Sequence, residues 1–225
     1  RFRGAGLRTP AGVTFRSDSS AIDLETSAGQ LGYPVVVKPE AQGSSLGVTI
    51  VRRPRELSAA VQRCLEFGPA GLLEEYIPGS EWTVPVWDRS TLPVIQIEPA
   101  EEFYDYSAKY RDDRTAYRFE FWVSPAVVRR VALAGLRGAE AIGAVGLSRV
   151  DLRLDATGQP WVLEVNTSPG MTDHSLVPKA AARLGLTLGE LCERECLRAI
   201  ARRADGSTSV TSRSSPSNGG PHSDP

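Results

Sequence analysis

Residues 147–166, which read LSRVDLRLDATGQPWVLEVN, constrain the fold more than any other segment of the chain. Polar and apolar residues alternate along 147–155 and again along 161–166, as in strands with two different faces. The turn-forming run at 156–159 lies between them. The pattern therefore predicts an antiparallel β-hairpin.

The register of this hairpin would place polar side chains together. A turn centred on the run at 156–159 gives the pairs Leu154 with Trp161, Asp151 with Glu164, and Arg149 with Asn166. Directly opposite side chains lie about 5 Å apart, so two carboxylates meet beside an amide. We expect Val162, Glu164 and Asn166 to share one face. Such an oxygen-rich set suits Mg²⁺. The alternative is a solvated face with an ion pair from Arg149.

The rest of the chain alternates strand and helix signals, which favours an α+β domain with mixed or antiparallel sheets. Short β-branched runs next to turn residues predict strands at 35–37, 47–51, 71–76, 81–87 and 92–98. Apolar residues at helical spacing predict helices at 55–67, 126–143, 176–184 and 187–203. Residues 100–118 lack this periodicity and are predicted to form a long surface loop. The Ser-, Pro- and Gly-rich residues 205–225 are predicted to be disordered.

Composition excludes several classes of protein. The 26 basic and 27 acidic residues give a formal net charge of -1, without the basic excess typical of nucleic-acid binders. No apolar run approaches the ~20 residues of a membrane span, and the first residues do not resemble a secretory signal. Three cysteines do not make a disulfide framework. The prediction is a soluble cytoplasmic protein that binds neither nucleic acid nor membrane.

Two segments suit a nucleotide. Lys38 ends a buried strand and faces a loop of glycine and serine at 41–46, where backbone N–H groups and hydroxyls can surround an anion. An ordinary hairpin turn with a solvated lysine is the alternative, and the loop lacks the Walker A pattern. The strand that ends near Tyr76 runs into a Pro-Gly break, which can offer backbone groups to an adenine edge, with Glu81 nearby for a ribose.

Two later loops add to this pattern. Residues 103–110 combine several aromatic residues with Lys109, and such a loop can close over a phosphate and exclude water. Residues 168–176 read as a glycine-containing turn that opens a helix, whose N–H groups would face an anion. The sequences of both loops therefore indicate contacts with anionic groups, a phosphate for 103–110 and an anion for 168–176.

The order of these motifs resembles the ATP-grasp region of D-alanine–D-alanine ligases. The series is KPEAQGSSLG, then Glu74 and Glu81 seven residues apart, then YDYSAKY, RVD and EVNTSPGMTDHS. The match runs from roughly residue 7 to residue 203. The segments around 104–110 and 164–178 are the most specific to this family.

The resemblance implies an α+β ATP-grasp fold of two subdomains, with mixed or antiparallel sheets flanked by helices and the nucleotide held between them. The implied division is 1–78 for the central subdomain, 79–204 for the C-terminal subdomain and 205–225 for the tail. The implied reaction joins two D-alanines through an acyl phosphate for peptidoglycan precursors. It uses ATP and two Mg²⁺ or Mn²⁺ ions, and the family resemblance also implies a homodimer.

The resemblance also assigns site residues. Catalysis falls to Arg149, Lys109, Ser44, Tyr110 and Gly170. ATP contacts fall to Lys38, Ser44, Ser45, Glu74, Glu75, Tyr76, Ile77, Glu81 and Lys109. The metal ligands are Asp151, Glu164 and Asn166, and the second D-alanine is held by Ser175 and Leu176.

Some features depart from the family. Its N-terminal domain has no counterpart here, and the sequence begins at Arg1 without a methionine, so we expect a fragment. Residues 118–124 form a longer stretch than the family usually has between the Lys-Tyr loop and the next helix. The resemblance therefore does not determine how the 103–110 loop closes. The alternatives are an ATP-grasp ligase with another acceptor, such as a hydroxy acid, a non-catalytic ATP-binding module, and a hydrolase that uses Asp151 and Glu164.

Overall fold

Two antiparallel sheets with helices packed against them form the described part of the chain. The computed structural model describes residues 1–42, 46–98 and 115–204. The predicted α+β class and the antiparallel sheets flanked by helices are confirmed.

The first sheet has the strand order β1-β4-β2-β3. Its strands are β1 (Gly12–Arg16), β2 (Val35–Pro39), β3 (Thr49–Val51) and β4 (Ala70–Glu75). The helices α1 (Ala21–Leu31) and α2 (Leu57–Leu65) pack against one face, where Val35 and Val37 are fully buried. Because side chains alternate along β2, Lys38 lies on the opposite face. The strands predicted at 35–37 and 47–51 are β2 and β3, and they pair with each other in an antiparallel arrangement.

The second sheet has the order β10-β9-β5-β7-β8, with β6 paired to β5. Its strands are β5 (Ser80–Trp87), β6 (Ser90–Thr91), β7 (Ile95–Glu98), β8 (Ala116–Arg118), β9 (Leu147–Leu154) and β10 (Pro160–Asn166). The loop prediction for 100–118 is wrong at β8. Tyr117 there pairs with Ile97 and packs against a buried cluster, so tertiary contacts outweigh the polar sequence. Residues 100–114 of that loop fall outside the described residues, as does the tail from residue 205.

Among the described residues, three helices pack against the second sheet, and all three were predicted. They are α3 (Pro125–Ile142), α4 (Leu176–Ala182) and α5 (Leu188–Ala204). Helix α3 lies very close to β5, since a Cβ added at Gly135 would stand 2.4 Å from Cβ of Val84. Helices α4 and α5 bury Leu176 and Leu191 in a cluster that includes Trp87.

The predicted β9–β10 hairpin forms, and its register is right over only half its length. Asp151 pairs with Glu164 and Arg149 pairs with Asn166, as predicted. Leu154 pairs with Pro160 instead of Trp161, because the register shifts between Val162 and Glu164. This β-bulge inserts one extra residue, Leu163, into β10.

The bulge also changes which residues of β10 share a face. Val162 is fully buried in the cluster beneath α3, whereas Glu164 lies on the other side of the strand. The prediction that Val162, Glu164 and Asn166 share a face is therefore wrong for Val162. The alternation predicted along 147–155 is confirmed at Val150, Leu152 and Leu154, since all three belong to the same buried cluster.

Residues 1–8 run along the second sheet. Phe2 and Leu7 pack against the cluster beneath α3, and the Val162 N–H donates to the Arg8 carbonyl at 2.8 Å. The predicted division near residue 78 stays a prediction. In the part of the chain that the structure describes, no helix is long and apolar enough to cross a membrane.

Candidate functional site

A cleft of about 260 Å³ lies between the two sheets. Its lining combines β2 and β4 of the first sheet with β5, β9 and β10 of the second. Six of the predicted ATP contacts line it: Lys38, Glu74, Glu75, Tyr76, Ile77 and Glu81. Asp151 and Glu164 of the predicted metal set line it as well. The structure therefore brings together groups that are up to 126 positions apart in the sequence.

Lys38 forms an ion pair at the wall of the first sheet. Its Nζ lies 2.6 Å from Oε2 of Glu74, and both side chains are mostly buried, at 18% and 17% exposure. The pair joins β2 to β4 across the sheet. It holds an ammonium group at the cleft, where an anion could compete with Glu74 for it.

Asp151 is held from two sides on the second sheet. The Thr83 hydroxyl on β5 donates to its Oδ1 at 2.6 Å. Arg149 Nε and Nη2 donate to the two carboxylate oxygens at 2.9 Å and 2.8 Å. The guanidinium balances the negative charge that would otherwise oppose Glu164 directly across the hairpin.

Glu164 and Asn166, the other two residues of the predicted metal set, lie on β10 next to the strand that carries Asp151. Glu164 is exposed and lies opposite Asp151, and Asn166 lies opposite Arg149. The Asn166 Oδ1 accepts from the Ser168 N–H at 2.9 Å, which begins the next loop. Within residues 1–42, 46–98 and 115–204, no three His, Cys, Asp or Glu side chains form a metal-binding group. The predicted set consists of two carboxylates and an amide, whose oxygens fit a hard cation.

Arg153 is a cleft residue that the sequence reasoning missed. It lines the cleft and pairs directly with Glu81 across β9 and β5, with Nη1 3.7 Å from Oε2 of Glu81. Its Nε and Nη2 donate to the carbonyls of Ile77 and Gly79 at 3.1 Å and 2.7 Å. The alternation along 147–155 indicated only its face, and nothing in the sequence indicated these partners.

The loop after β10 and the first residue of α4 contain three of the predicted residues, Gly170, Ser175 and Leu176. Ser175 is the N-cap of α4, and its hydroxyl accepts from the Thr172 N–H at 3.1 Å. A Cβ at Gly170 would stand 2.7 Å from the Ser175 hydroxyl oxygen, so the glycine lets the two parts of the loop approach. The Leu176 side chain is buried, so any substrate contact there would come from its backbone N–H in the first turn of α4.

Asp155 anchors the turn of the β9–β10 hairpin. It accepts from the hydroxyl and N–H of Thr157, from the Trp161 indole N–H and from the Gln159 N–H. These hydrogen bonds, led by that of the Thr157 hydroxyl, hold the pKa of the Asp155 carboxyl well below its usual range. The turn therefore fixes the strands that carry Asp151 and Glu164.

Four predicted residues fall outside the described residues, namely Ser44, Ser45, Lys109 and Tyr110. Their roles stay predictions.

A protein family matches almost the whole of the described chain. Its description is D-ala D-ala ligase C-terminus, and the match covers residues 2–195. The chain belongs to this family.

Relatives within the D-alanine–D-alanine ligase family are closely similar over most of the chain. The chain is 42% identical over 191 residues to D-alanine--D-alanine ligase B of Chromobacterium violaceum, a match that covers 85% of this chain and 62% of the relative. It is 43% identical over 194 residues to a ligase of a Synechococcus species, covering 86% of this chain and 59% of the relative. The chain thus spans about three fifths of the length of such relatives.

Solved D-alanine–D-alanine ligase structures share the fold. A structure from Bacillus anthracis has a TM-score of 0.78 at 34% identity and covers 91% of this chain and 66% of that chain. A second one from the same organism, complexed with ATP, has a TM-score of 0.75 at 29% identity, with 91% and 65% covered. The two sheets and the cleft between them are therefore an ATP-grasp fold, as predicted.

Proposed function

We propose that the protein takes part in the ATP-dependent joining of two D-alanines into D-alanyl-D-alanine, a precursor of peptidoglycan. One observation carries the proposal: Lys38 of one sheet and the Asp151–Glu164 pair of the other line the same cleft. A phosphate donor in that cleft would meet a cation on one wall and an oxygen-rich set on the other. Membership of the D-alanine–D-alanine ligase family supports the choice of reaction.

ATP would lie in the cleft between the sheets. Lys38 would contact its phosphates, and the connector that follows β4 would border the adenine through Tyr76 and Ile77. Glu74 and Glu75 line the same wall, and Glu81 would accept from the ribose hydroxyls. Ser44, Ser45 and Lys109 complete the proposed ATP contacts.

Asp151, Glu164 and Asn166 would hold two Mg²⁺ or Mn²⁺ ions. The three residues offer only oxygen ligands, and the cross-strand pairing brings the two carboxylates opposite each other. Bound there, the ions would neutralise the charge of the ATP phosphates. Arg149 already shows that Asp151 accepts a cationic partner.

In the proposed reaction the carboxylate of one D-alanine attacks the γ-phosphorus of ATP, ADP leaves, and an acyl phosphate forms. The amine of the second D-alanine attacks this carbonyl, and phosphate leaves. Arg149 and the Gly170 N–H would stabilise the negative charge on the tetrahedral intermediate.

Substrate positioning completes the proposal. Ser175 and the backbone of Leu176 would hold the carboxylate of the second D-alanine, since they lie where α4 begins. Ser44 and Tyr110 would position the substrates, and Lys109 would reach the transferred phosphate. A homodimer, a cytoplasmic location and the division into subdomains 1–78 and 79–204 belong to the same proposal.

The test is D-alanine-dependent phosphate release by the full-length protein with Mg²⁺ and ATP, with the products identified by mass. We expect D-alanyl-D-alanine, and we expect E164Q to lose most of this activity because one of the two opposed carboxylates loses its charge. E193Q, a change at an exposed glutamate on α5, is the matched control and should keep the activity. Equal phosphate release by E164Q and the unsubstituted protein would refute the role of Glu164.

The same assay addresses the alternatives. A product that contains D-lactate, formed in competition with D-alanine, would indicate a ligase with a hydroxy-acid acceptor. Mg²⁺-dependent ATP binding without turnover under any D-amino acid would indicate a non-catalytic module.

A further inference from the structure

Arg153 contacts both the connector between the sheets and the carboxylate proposed to bind ribose. The connector comprises residues 76–79, which join β4 of the first sheet to β5 of the second. Arg153 is on β9, its side chain is only 12% exposed, and it lines the cleft. It is therefore placed to couple the backbone at the cleft wall to a charge inside the cleft.

The connector is held by the guanidinium group through two carbonyls. Nε donates to Ile77 at 3.1 Å and Nη2 donates to Gly79 at 2.7 Å. Nη2 also donates to the Tyr76 hydroxyl at 3.3 Å, and the guanidinium stands 5.5 Å from the centre of the Tyr76 ring. The planar fork of arginine can make these contacts simultaneously, which a lysine ammonium cannot reproduce.

Gly79 makes this arrangement possible. Its φ is +130°, and a Cβ there would stand 2.0 Å from the Leu154 carbonyl oxygen. Only glycine lets the connector approach the end of β9 so closely. The approach places the Gly79 carbonyl within reach of the residue next to Leu154.

The third nitrogen of Arg153 faces Glu81. Nη1 lies 3.7 Å from Oε2 of Glu81, and both side chains are mostly buried, at 12% and 16% exposure. This distance is within the range of an ion pair and beyond that of a hydrogen bond. The charge of Arg153 thus stabilises the Glu81 carboxylate at the cleft wall.

We infer that Arg153 is a positioning residue for the nucleotide's ribose: it fixes the connector and holds the Glu81 carboxylate oriented toward the cleft. The inference rests on the proposed binding of ATP in this cleft. It goes further by giving a role to an arginine that the motif series does not include. Arg153 acts through Glu81, so its loss should affect the recognition of the ribose hydroxyls more than the recognition of the rest of ATP.

The test compares ATP with 2′,3′-dideoxy-ATP, which lacks both ribose hydroxyls. Dissociation constants are measured by calorimetry for the unsubstituted protein, R153M, R153Q and E81Q. We expect the unsubstituted protein to prefer ATP. In R153M, ATP should bind about tenfold more weakly, the loss expected for one contact to a charged group. Its preference for ATP should fall to that of E81Q.

Two further variants separate positioning from a general loss of structure. R153K keeps a positive charge beside Glu81 but cannot hold both connector carbonyls, so it should restore only part of the preference for ATP. R130M is the matched control, because Arg130 also donates through Nε and Nη2 to a backbone carbonyl, that of Gly158, and does not line the cleft. R130M should leave both dissociation constants unchanged.

The outcomes are distinct. If R153M weakens the binding of ATP and of dideoxy-ATP equally, the inference is overturned. R153Q replaces R153M if R153M does not fold, and an unchanged preference for ATP in R153Q would overturn the inference as well. A double variant E81Q/R153M that shows additive losses would also overturn it, since residues that act through one another are non-additive. If the unsubstituted protein binds no ATP, the proposed function fails and the inference fails with it. If R153M and R153Q bind ATP and dideoxy-ATP with the same dissociation constants as the unsubstituted protein, the inference fails but the proposed function stands.

Discussion

A substitution of Gly135 by alanine tests how closely α3 packs on the sheet that carries the site. A Cβ at this position would stand 2.4 Å from Cβ of Val84 and 2.6 Å and 2.7 Å from its two γ carbons. Carbon atoms pack at about 3.5–4.0 Å, so α3 and β5 would have to separate by about 1 Å. Val84 is fully buried on β5, which is paired with β9 on one side and β7 on the other.

The expected magnitude follows from two opposing effects. Overpacking of a core costs about 1–3 kcal/mol. An alanine at position 135 would make three contacts below 3 Å with Val84 on a strand paired on both sides, so its cost should lie at the upper end of this range. Alanine in a helix interior gains about 1 kcal/mol over glycine. G135A should therefore lower the free energy of unfolding by about 2 kcal/mol.

Two other helical glycines provide graded controls. Gly29 in α1 has no atom within 4 Å of an added Cβ, so G29A should raise the free energy of unfolding by about 1 kcal/mol. At Gly138, one turn along α3, the atom nearest to an added Cβ is Cγ1 of Val150 at 3.2 Å. The change in the free energy of unfolding caused by G138A should therefore lie between those caused by G135A and G29A. Urea unfolding followed by circular dichroism measures all three. A G135A protein as stable as G29A would refute the packing argument.

Two further predictions concern the hairpin and the strand beside it. T83V removes the hydroxyl that donates to Asp151 and keeps the shape of the buried side chain, so it should weaken Mg²⁺ binding in the presence of ATP by about tenfold. T83S keeps the hydroxyl and should not weaken it. Equal Mg²⁺ affinities for T83V and T83S in calorimetry would contradict this. D155N should lower the free energy of unfolding by about 1 kcal/mol at neutral pH, because an uncharged amide accepts hydrogen bonds more weakly than the half-buried carboxylate does. The folded-state pKa of Asp155 is depressed, so its stabilisation is fully present above the unfolded value of about 3.9 and is lost as the pH falls below it. Urea unfolding at several pH values should show the difference between the two proteins shrinking below about pH 4, and a constant difference would contradict the assignment.

The sequence allowed the Asp151–Glu164 pair to be predicted because both residues belong to one hairpin. Local alternation and a turn were sufficient for that part of the register. The contacts of Thr83 and Arg153 could not be predicted in the same way. Thr83 meets Asp151 across β5 and β9, 68 positions apart, and the partners of Arg153 lie in a connector that the alternation of its own strand does not reveal.

The β-bulge at Leu163 shows why the remaining half of the register was missed, and what it does for the site. In β10 the Val162 N–H bonds to the Arg8 carbonyl, more than 150 positions away, and no local pattern indicates that partner. Without the extra residue, Val162 and Glu164 would point to the same side of the strand. With it, Val162 seals the core beneath α3 while Glu164 lines the cleft opposite Asp151. A single inserted residue thus lets one short strand contribute both to the core and to the candidate metal site.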